Sequence, residues 1–158
     1  MGGLAGKQKG DAIMEKIKVK ILRQGAKLPT YGSAEAAGAD LYAYLDEAID
    51  IVPGETVWVK TGIAVQIPRG FGGFIYARSS MGVKRDLAPA NKVGVIDSDY
   101  RGEINVVLHN HGSKVQRLEP GERIAQLVIA PVFTPGFVEA EELDDTTRGE
   151  GGFGSTGK

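Results

Sequence analysis

Val57-Trp58-Val59-Lys60-Thr61-Gly62-Ile63-Ala64-Val65-Gln66-Ile67-Pro68 is the stretch whose reading decides the fold class. Val57 and Val59 alternate with other residues, Ile63, Val65 and Ile67 resume the alternation beyond Gly62, and the pattern stops at Pro68. A period of two places those side chains on one face of an extended chain, as in a half-buried strand. Ile17, Val19 and Ile21 repeat the pattern against Lys18 and Lys20, and Phe74–Ala77, Ile104–Asn110 and Ile124–Ala130 are further short candidates. Turn formers punctuate them: Pro53-Gly54, Arg69-Gly70, Gly72-Gly73, His111-Gly112 and Pro120-Gly121. Many short strands at this spacing predict an all-β barrel or jelly-roll-like domain.

Two places invite a helix. Ser80–Arg85 is long enough for one or two turns, with Ser79 or Ser80 as N-cap. Ala34–Ala48 is rich in alanine and leucine, and propensity alone would make it helical, though Gly38 weakens the case.

At 158 residues the chain reads as one domain, and its net charge of −1 leaves no dominant basic face for nucleic acid or an anionic membrane. With no cysteine, disulfides, thiolate nucleophiles and cysteine-bound zinc are excluded. No apolar run approaches the ~20 residues needed to span a bilayer. The opening Met1-Gly2-Gly3-Leu4-Ala5-Gly6 has Gly6 where a myristoylation site wants Ser or Thr, and lacks the apolar core of a signal peptide. Three regions follow: a flexible leader over residues 1–13, a β-rich core over 14–138, and an acidic linker with a glycine-rich arm over 139–158. A cytoplasmic protein is expected.

The tail Arg148-Gly-Glu-Gly-Gly-Phe-Gly-Ser-Thr-Gly157 contains a cation, an aromatic ring and two hydroxyls on a glycine ribbon. Those groups suit closure over a nucleotide: Arg148 for phosphate charge, Phe153 for stacking on a base, Ser155, Thr156 and free N–H groups for phosphate oxygens. A disordered tail is the ordinary alternative. Asp97 ends the apolar run Val93-Gly94-Val95-Ile96, where a carboxylate can be held rigidly and partly desolvated as a general base must be. On the residues alone, a simple turn through Asp97 and Asp99 is the favoured explanation. Arg78, Ser79 and Ser80 put a cation and two hydroxyls at the start of a short helix, where a capped surface turn is the plain alternative. At Gly94 the missing side chain allows close backbone approach. His109 and His111 could share a strand face, but without a third ligand they read as strand-end histidines.

Five segments, in order, resemble the five motifs of the trimeric dUTPase family. They are Ala37-Gly-Ala-Asp-Leu-Tyr-Ala43, Ala77-Arg-Ser-Ser-Met-Gly82, Gly94-Val-Ile-Asp-Ser-Asp-Tyr-Arg-Gly-Glu-Ile104, Gly121-Glu-Arg-Ile-Ala-Gln-Leu127 and the tail from Arg148 to Gly157. Small departures are Glu122 where aspartate is common, with Ala77 and Met81 as tolerated variants. The resemblance implies an extended segment rather than a helix around Asp40. It implies a homotrimer, with each site built from the Asp97 segment of one subunit, the Asp40, Arg78 and Gln126 segments of a second, and the Phe153 arm of a third. It implies magnesium-dependent hydrolysis of dUTP to dUMP and pyrophosphate, with Asp97 activating the attacking water. Asp40 would hold Mg2+ through water, Tyr100 would pack under the deoxyribose, and Asn91 and Gly94 would flank the uracil pocket. Ser79 would contact the cleaved phosphate bridge, while Arg78, Ser80 and Gln126 bind the phosphates. Arg148, Phe153, Gly154, Ser155 and Thr156 would close over the substrate. Arg123 is expected in an ion pair.

Competing motifs fail on context. Gly149-x-Gly151-x-x-Gly154 has no strand before it and no helix after it, and Gly152-x-x-x-x-Gly157-Lys158 ends where a P-loop requires Ser or Thr. The related dCTP deaminases share an Arg-Ser-Ser segment, but Val107 stands where their catalytic glutamate would be, and valine cannot move a proton. A jelly-roll binding module would not need Asp97, Asp40, Ser79 and the aromatic tail together.

Overall fold

The computed structural model describes residues 16–152; residues 1–15 and 153–158 lie outside it. Twelve strands and one helix run in the order β1 (Lys18–Ile21), β2 (Thr30–Tyr31), β3 (Ala39–Tyr42), β4 (Ile49–Ile51), β5 (Thr56–Lys60), β6 (Ile63–Gln66), β7 (Phe71–Tyr76), α1 (Ser79–Lys84), β8 (Leu87–Pro89), β9 (Gly94–Ile96), β10 (Asn105–Asn110), β11 (Gln116–Leu118) and β12 (Arg123–Pro131). All pairings are antiparallel, in four sheets: β2-β3-β12-β7-β9, β5-β10-β8, β1-β6 and β11-β4. This is the expected all-β, jelly-roll-like architecture with a single short helix among the described residues.

Alternation works best where one face is buried. In β10, Val106, Leu108 and Asn110 point inward while Asn105, Val107 and His109 are only partly covered. Leu41, Ile51, Val59, Ile63, Leu87, Ile104, Leu118 and Ile124 complete the closely packed centre. β12 breaks the rule once: Arg123 opposes Tyr42 and Ala125 opposes Leu41, so Ile124 is an extra residue. That bulge turns both Ile124 and Ala125 inward and re-aims the strand just before Gln126.

Asn110 is fully enclosed. Asn110 donates from Nδ2 to the carbonyls of Ile51 at 2.9 Å and Lys114 at 2.8 Å, and its Oδ1 accepts the Gly112 N–H at 3.0 Å. Each polar atom of the amide is satisfied, so its burial ties the loop after β10 to β4.

Several expectations need correction. The helix begins at Ser79, with Arg78 as N-cap and no side-chain cap; neither Ser79 nor Ser80 caps it. The extended segment implied around Asp40 is present: Ala39–Tyr42 is held between β2 and β12, and ladder pairing outweighs the helical propensity of Ala34–Ala48. The strand leading to Asp97 is an edge: β9 pairs only with β7, Val95 is 65% exposed and only Ile96 is buried. No helix among the described residues is long and apolar enough to cross a membrane.

Candidate active site

Two groups of the singled-out residues form, in different places on the chain. The first is built where β3, β12 and β7 lie side by side, with Asp40 opposite Gln126 and Gln126 opposite Tyr76. Arg78, just after β7, turns back so that its Nε donates to Asp40 Oδ1 at 2.7 Å and its Nη1 to Ser80 Oγ at 3.2 Å. Arg123 donates from Nη1 to the other carboxylate oxygen at 3.3 Å. Asp40 is only 6% exposed. One carboxylate between two guanidinium groups leaves a net positive charge, and the uncapped first turn of α1 leaves its N–H groups without a side-chain partner. Both features suit phosphate oxygens. Gln126 lies against Gly38, where a Cβ would come within 2.9 Å of its Oε1. The expected ion pair of Arg123 is present.

The second group surrounds a cavity of about 270 Å³. Asn91, Gly94, Asp97 and Tyr100 contribute to it, walled by Trp58, Ile75, Ile104 and Val107. A Cβ at Gly94 would meet Ile75 Cβ at 3.2 Å and Asn91 Nδ2 at 3.6 Å, so glycine keeps this wall open. The chain turns sharply after β9, with the Tyr100 N–H donating to the Asp97 carbonyl at 3.1 Å, which brings carboxylate and ring to one cavity. Asp97 also borders a larger groove of about 870 Å³ containing Arg69, Phe74, Asp99 and Arg101. Asp97 itself is exposed in the single chain, so the expected partial desolvation is not supplied by this chain's own residues.

Tyr100 is tied down by a residue the sequence did not point to. Its hydroxyl donates to the Glu103 carbonyl at 3.0 Å. The Glu103 side chain accepts from Arg23 Nε at 3.1 Å, Arg23 Nη2 at 3.2 Å and the Gly62 N–H at 3.0 Å. The Arg23 hydrogen bond, helped by the Gly62 N–H and opposed by burial, holds the Glu103 carboxyl below the usual carboxylate range. Arg23 lies 80 positions from Glu103, and no local pattern marks such a pair.

The two groups do not line a common cavity within one chain: Asp40, Arg78, Ser79, Ser80 and Gln126 are absent from the lining of the Asp97 cavity. Arg148 bonds within its own turn, donating from Nε to the Gly151 carbonyl at 2.7 Å. Phe153, Gly154, Ser155 and Thr156 lie outside the described residues. His109 and His111 face each other with ring centroids 4.4 Å apart, and no cluster of three metal-ligating side chains occurs among the described residues.

The donor set at Asp40 limits how magnesium can sit there. With a guanidinium on each oxygen, direct ligation by Asp40 is unfavourable, whereas each oxygen keeps a lone pair able to accept a hydrogen bond from metal-bound water. Contact through water therefore fits this carboxylate.

The fold is that of the dUTPases. A Staphylococcus bacteriophage 80alpha dUTPase with dUPNHPP superposes with a TM-score of 0.83 at 31% identity, covering 90% of this chain and 99% of that one. A mutant dUTPase from phage phi11 of S. aureus, described with a structural Mg(II) ion, gives a TM-score of 0.75 at 25% identity over 83% of this chain and 100% of the other. The dUTPase family model matches residues 24–157. Deoxyuridine 5'-triphosphate nucleotidohydrolases of Acinetobacter baumannii and Desulfitobacterium hafniense are each 51% identical to this chain, over 90% and 91% of its length and 99% of theirs. The chain belongs to the dUTPase family.

Proposed function

We propose that this chain is a dUTP diphosphatase that hydrolyses dUTP to dUMP and pyrophosphate, with magnesium bound to the substrate's phosphates. The observation that carries the reading is the division of the site into a small Asp97–Tyr100–Asn91–Gly94 cavity and a separate cationic Arg78–Asp40–Arg123 cluster. The first suits a base, a sugar and a general base; the second suits a triphosphate.

Uracil enters beside Asn91 and Gly94, where unpaired polar groups penalise a wrong base. Tyr100 lies under the sugar and leaves no room for a 2′-hydroxyl. Asp97 orients a water against the α-phosphorus and takes its proton as the bond to the bridging oxygen breaks, an assistance worth roughly 10²–10⁴-fold. Arg78, fixed by Asp40, offsets charge on the phosphates, with Ser79 at the cleaved bridge and Ser80 and Gln126 beside it. Asp40 would hold magnesium through water, and the ion would supply further charge neutralisation. Arg148 and the Phe153–Thr156 segment close over the substrate.

A homotrimer with shared sites is supported by two features. The two groups line no common cavity within one chain, and a second copy would supply the missing half of each site. The segment after β12 also leaves Phe133, Phe137, Val138 and Leu143 between 89% and 99% exposed, more apolar surface than an isolated chain in water favours. The enzyme would limit uracil in DNA and supply dUMP for thymidylate synthesis.

Pyrophosphate release from dUTP with magnesium, beside dTTP, dCTP and UTP and repeated with Asp97→Asn, tests this. Turnover of dUTP alone, lost in the variant, is expected; silence on all four substrates would refute the reading, and ammonia released from dCTP would reassign the chain to deamination.

A further inference from the structure

Glu103 sits at the meeting point of three parts of the chain that no local motif links. Its carbonyl accepts the Tyr100 hydroxyl at 3.0 Å and the Asn105 Nδ2 at 3.2 Å. Its side chain, 16% exposed, is gripped by Arg23 Nε and Nη2 and by the N–H of Gly62. Gly62 has φ +72° at the corner between β5 and β6, and its carbonyl accepts the Leu22 N–H at 2.8 Å beyond the end of β1. The carboxylate thus fixes residue 103 against β1 and the β5–β6 corner, while its carbonyl holds the tyrosine. Gly102 completes the arrangement, since a Cβ there would lie 2.6 Å from Tyr100 Cζ. The ring lies across the backbone at residue 102 and is anchored at residue 103.

We propose that Arg23 and Glu103 are positioning residues for Tyr100 and thereby set the enzyme's discrimination between 2′-deoxyribose and ribose, an inference that rests on the reading of Tyr100 as the floor under the sugar. Exclusion of a hydroxyl by a ring is a contact effect that fades when the ring is free to shift by about an ångström. A bidentate arginine–carboxylate pair with a backbone N–H on the same carboxylate is well suited to prevent that shift. Neither side chain touches the reacting phosphate, so the chemical step for dUTP should be nearly untouched.

The test is the ratio of kcat/KM for dUTP to that for UTP in the wild-type enzyme and in Glu103→Ala, Arg23→Gln, Tyr100→Phe and the Glu103→Ala/Tyr100→Phe double variant. Glu103→Ala should lower the ratio by roughly tenfold, mostly through a better UTP KM, and the double variant should lose little more, as expected for residues acting in one chain of contacts. Glu103→Gln, which keeps an acceptor for Gly62, should fall between wild type and Glu103→Ala. A merely structural role would lower both substrates together and leave the ratio alone. If Glu103→Ala fails to fold, Arg23→Gln carries the test, because Glu103 and its carbonyl remain. An unchanged ratio in both, or additive effects in the double variant, would overturn the proposal. A wild-type enzyme inactive on dUTP would instead overturn the catalytic reading on which it rests.

Discussion

Asp40→Asn separates the structural work of this carboxylate from its place in the site. Asp40 is 6% exposed, and Arg78 beside it has a side chain only 18% exposed, with the Nε–Oδ1 contact at 2.7 Å. Removing one partner of a buried pair costs about 3–5 kcal/mol, chiefly because the remaining charge is left without compensation. The Arg123 contact adds little, since that side chain is 52% exposed, and exposed pairs contribute about 0–1 kcal/mol. An amide can accept from one guanidinium, but its NH2 then faces the other, so the net loss should be about 3 kcal/mol or more. Urea unfolding at one fixed protein concentration measures it, because assembly would otherwise change the apparent stability. Inorganic pyrophosphate should raise the variant's Tm more than the wild type's, since no carboxylate then offsets the charge of the two guanidiniums. Stability within about 1 kcal/mol of wild type, with equal pyrophosphate shifts, would refute the account of Asp40 as the brace of Arg78.

Asn110→Ala leaves the Ile51 and Lys114 carbonyls and the Gly112 N–H without the buried amide, and at about 1 kcal/mol per lost bond should cost about 3 kcal/mol in urea unfolding. His111 is held below its ordinary value of 6.5, first by desolvation and then by Lys92 and His109. The unfolded chain therefore binds its proton first as pH falls, so stability should drop on acidification from about 6.5 downward, and His111→Asn should flatten that slope in Tm measured against pH. Deleting residues 148–158 should leave circular dichroism and sedimentation unchanged and remove most pyrophosphate release; full activity would refute closure by that segment.

Much of this protein was legible from residue order alone. Strand type follows from a period of two, and Val57–Ile67 shows it because each side chain chooses a face by its own polarity. Chemistry also sits in short runs: Asp97 and Tyr100 are joined by one turn, and Arg78 and Ser80 by one helix start, so local spacing brings them together. The short strands β2, β4, β8 and β11 escaped because two or three residues carry no period, and their pairing supplies what their sequences lack. The N-cap at Arg78 instead of a serine was not legible in the sequence, and the strand around Asp40 is held in place by its neighbours β2 and β12. Sequence separation hid the rest. Arg78 reaches Asp40 across 38 positions and Arg23 reaches Glu103 across 80, and only the folded sheets bring such groups within hydrogen-bond range. Residue identity determined which groups were available to bind and react; tertiary structure decided which of them touch, because contact depends on strand register and not on distance along the chain.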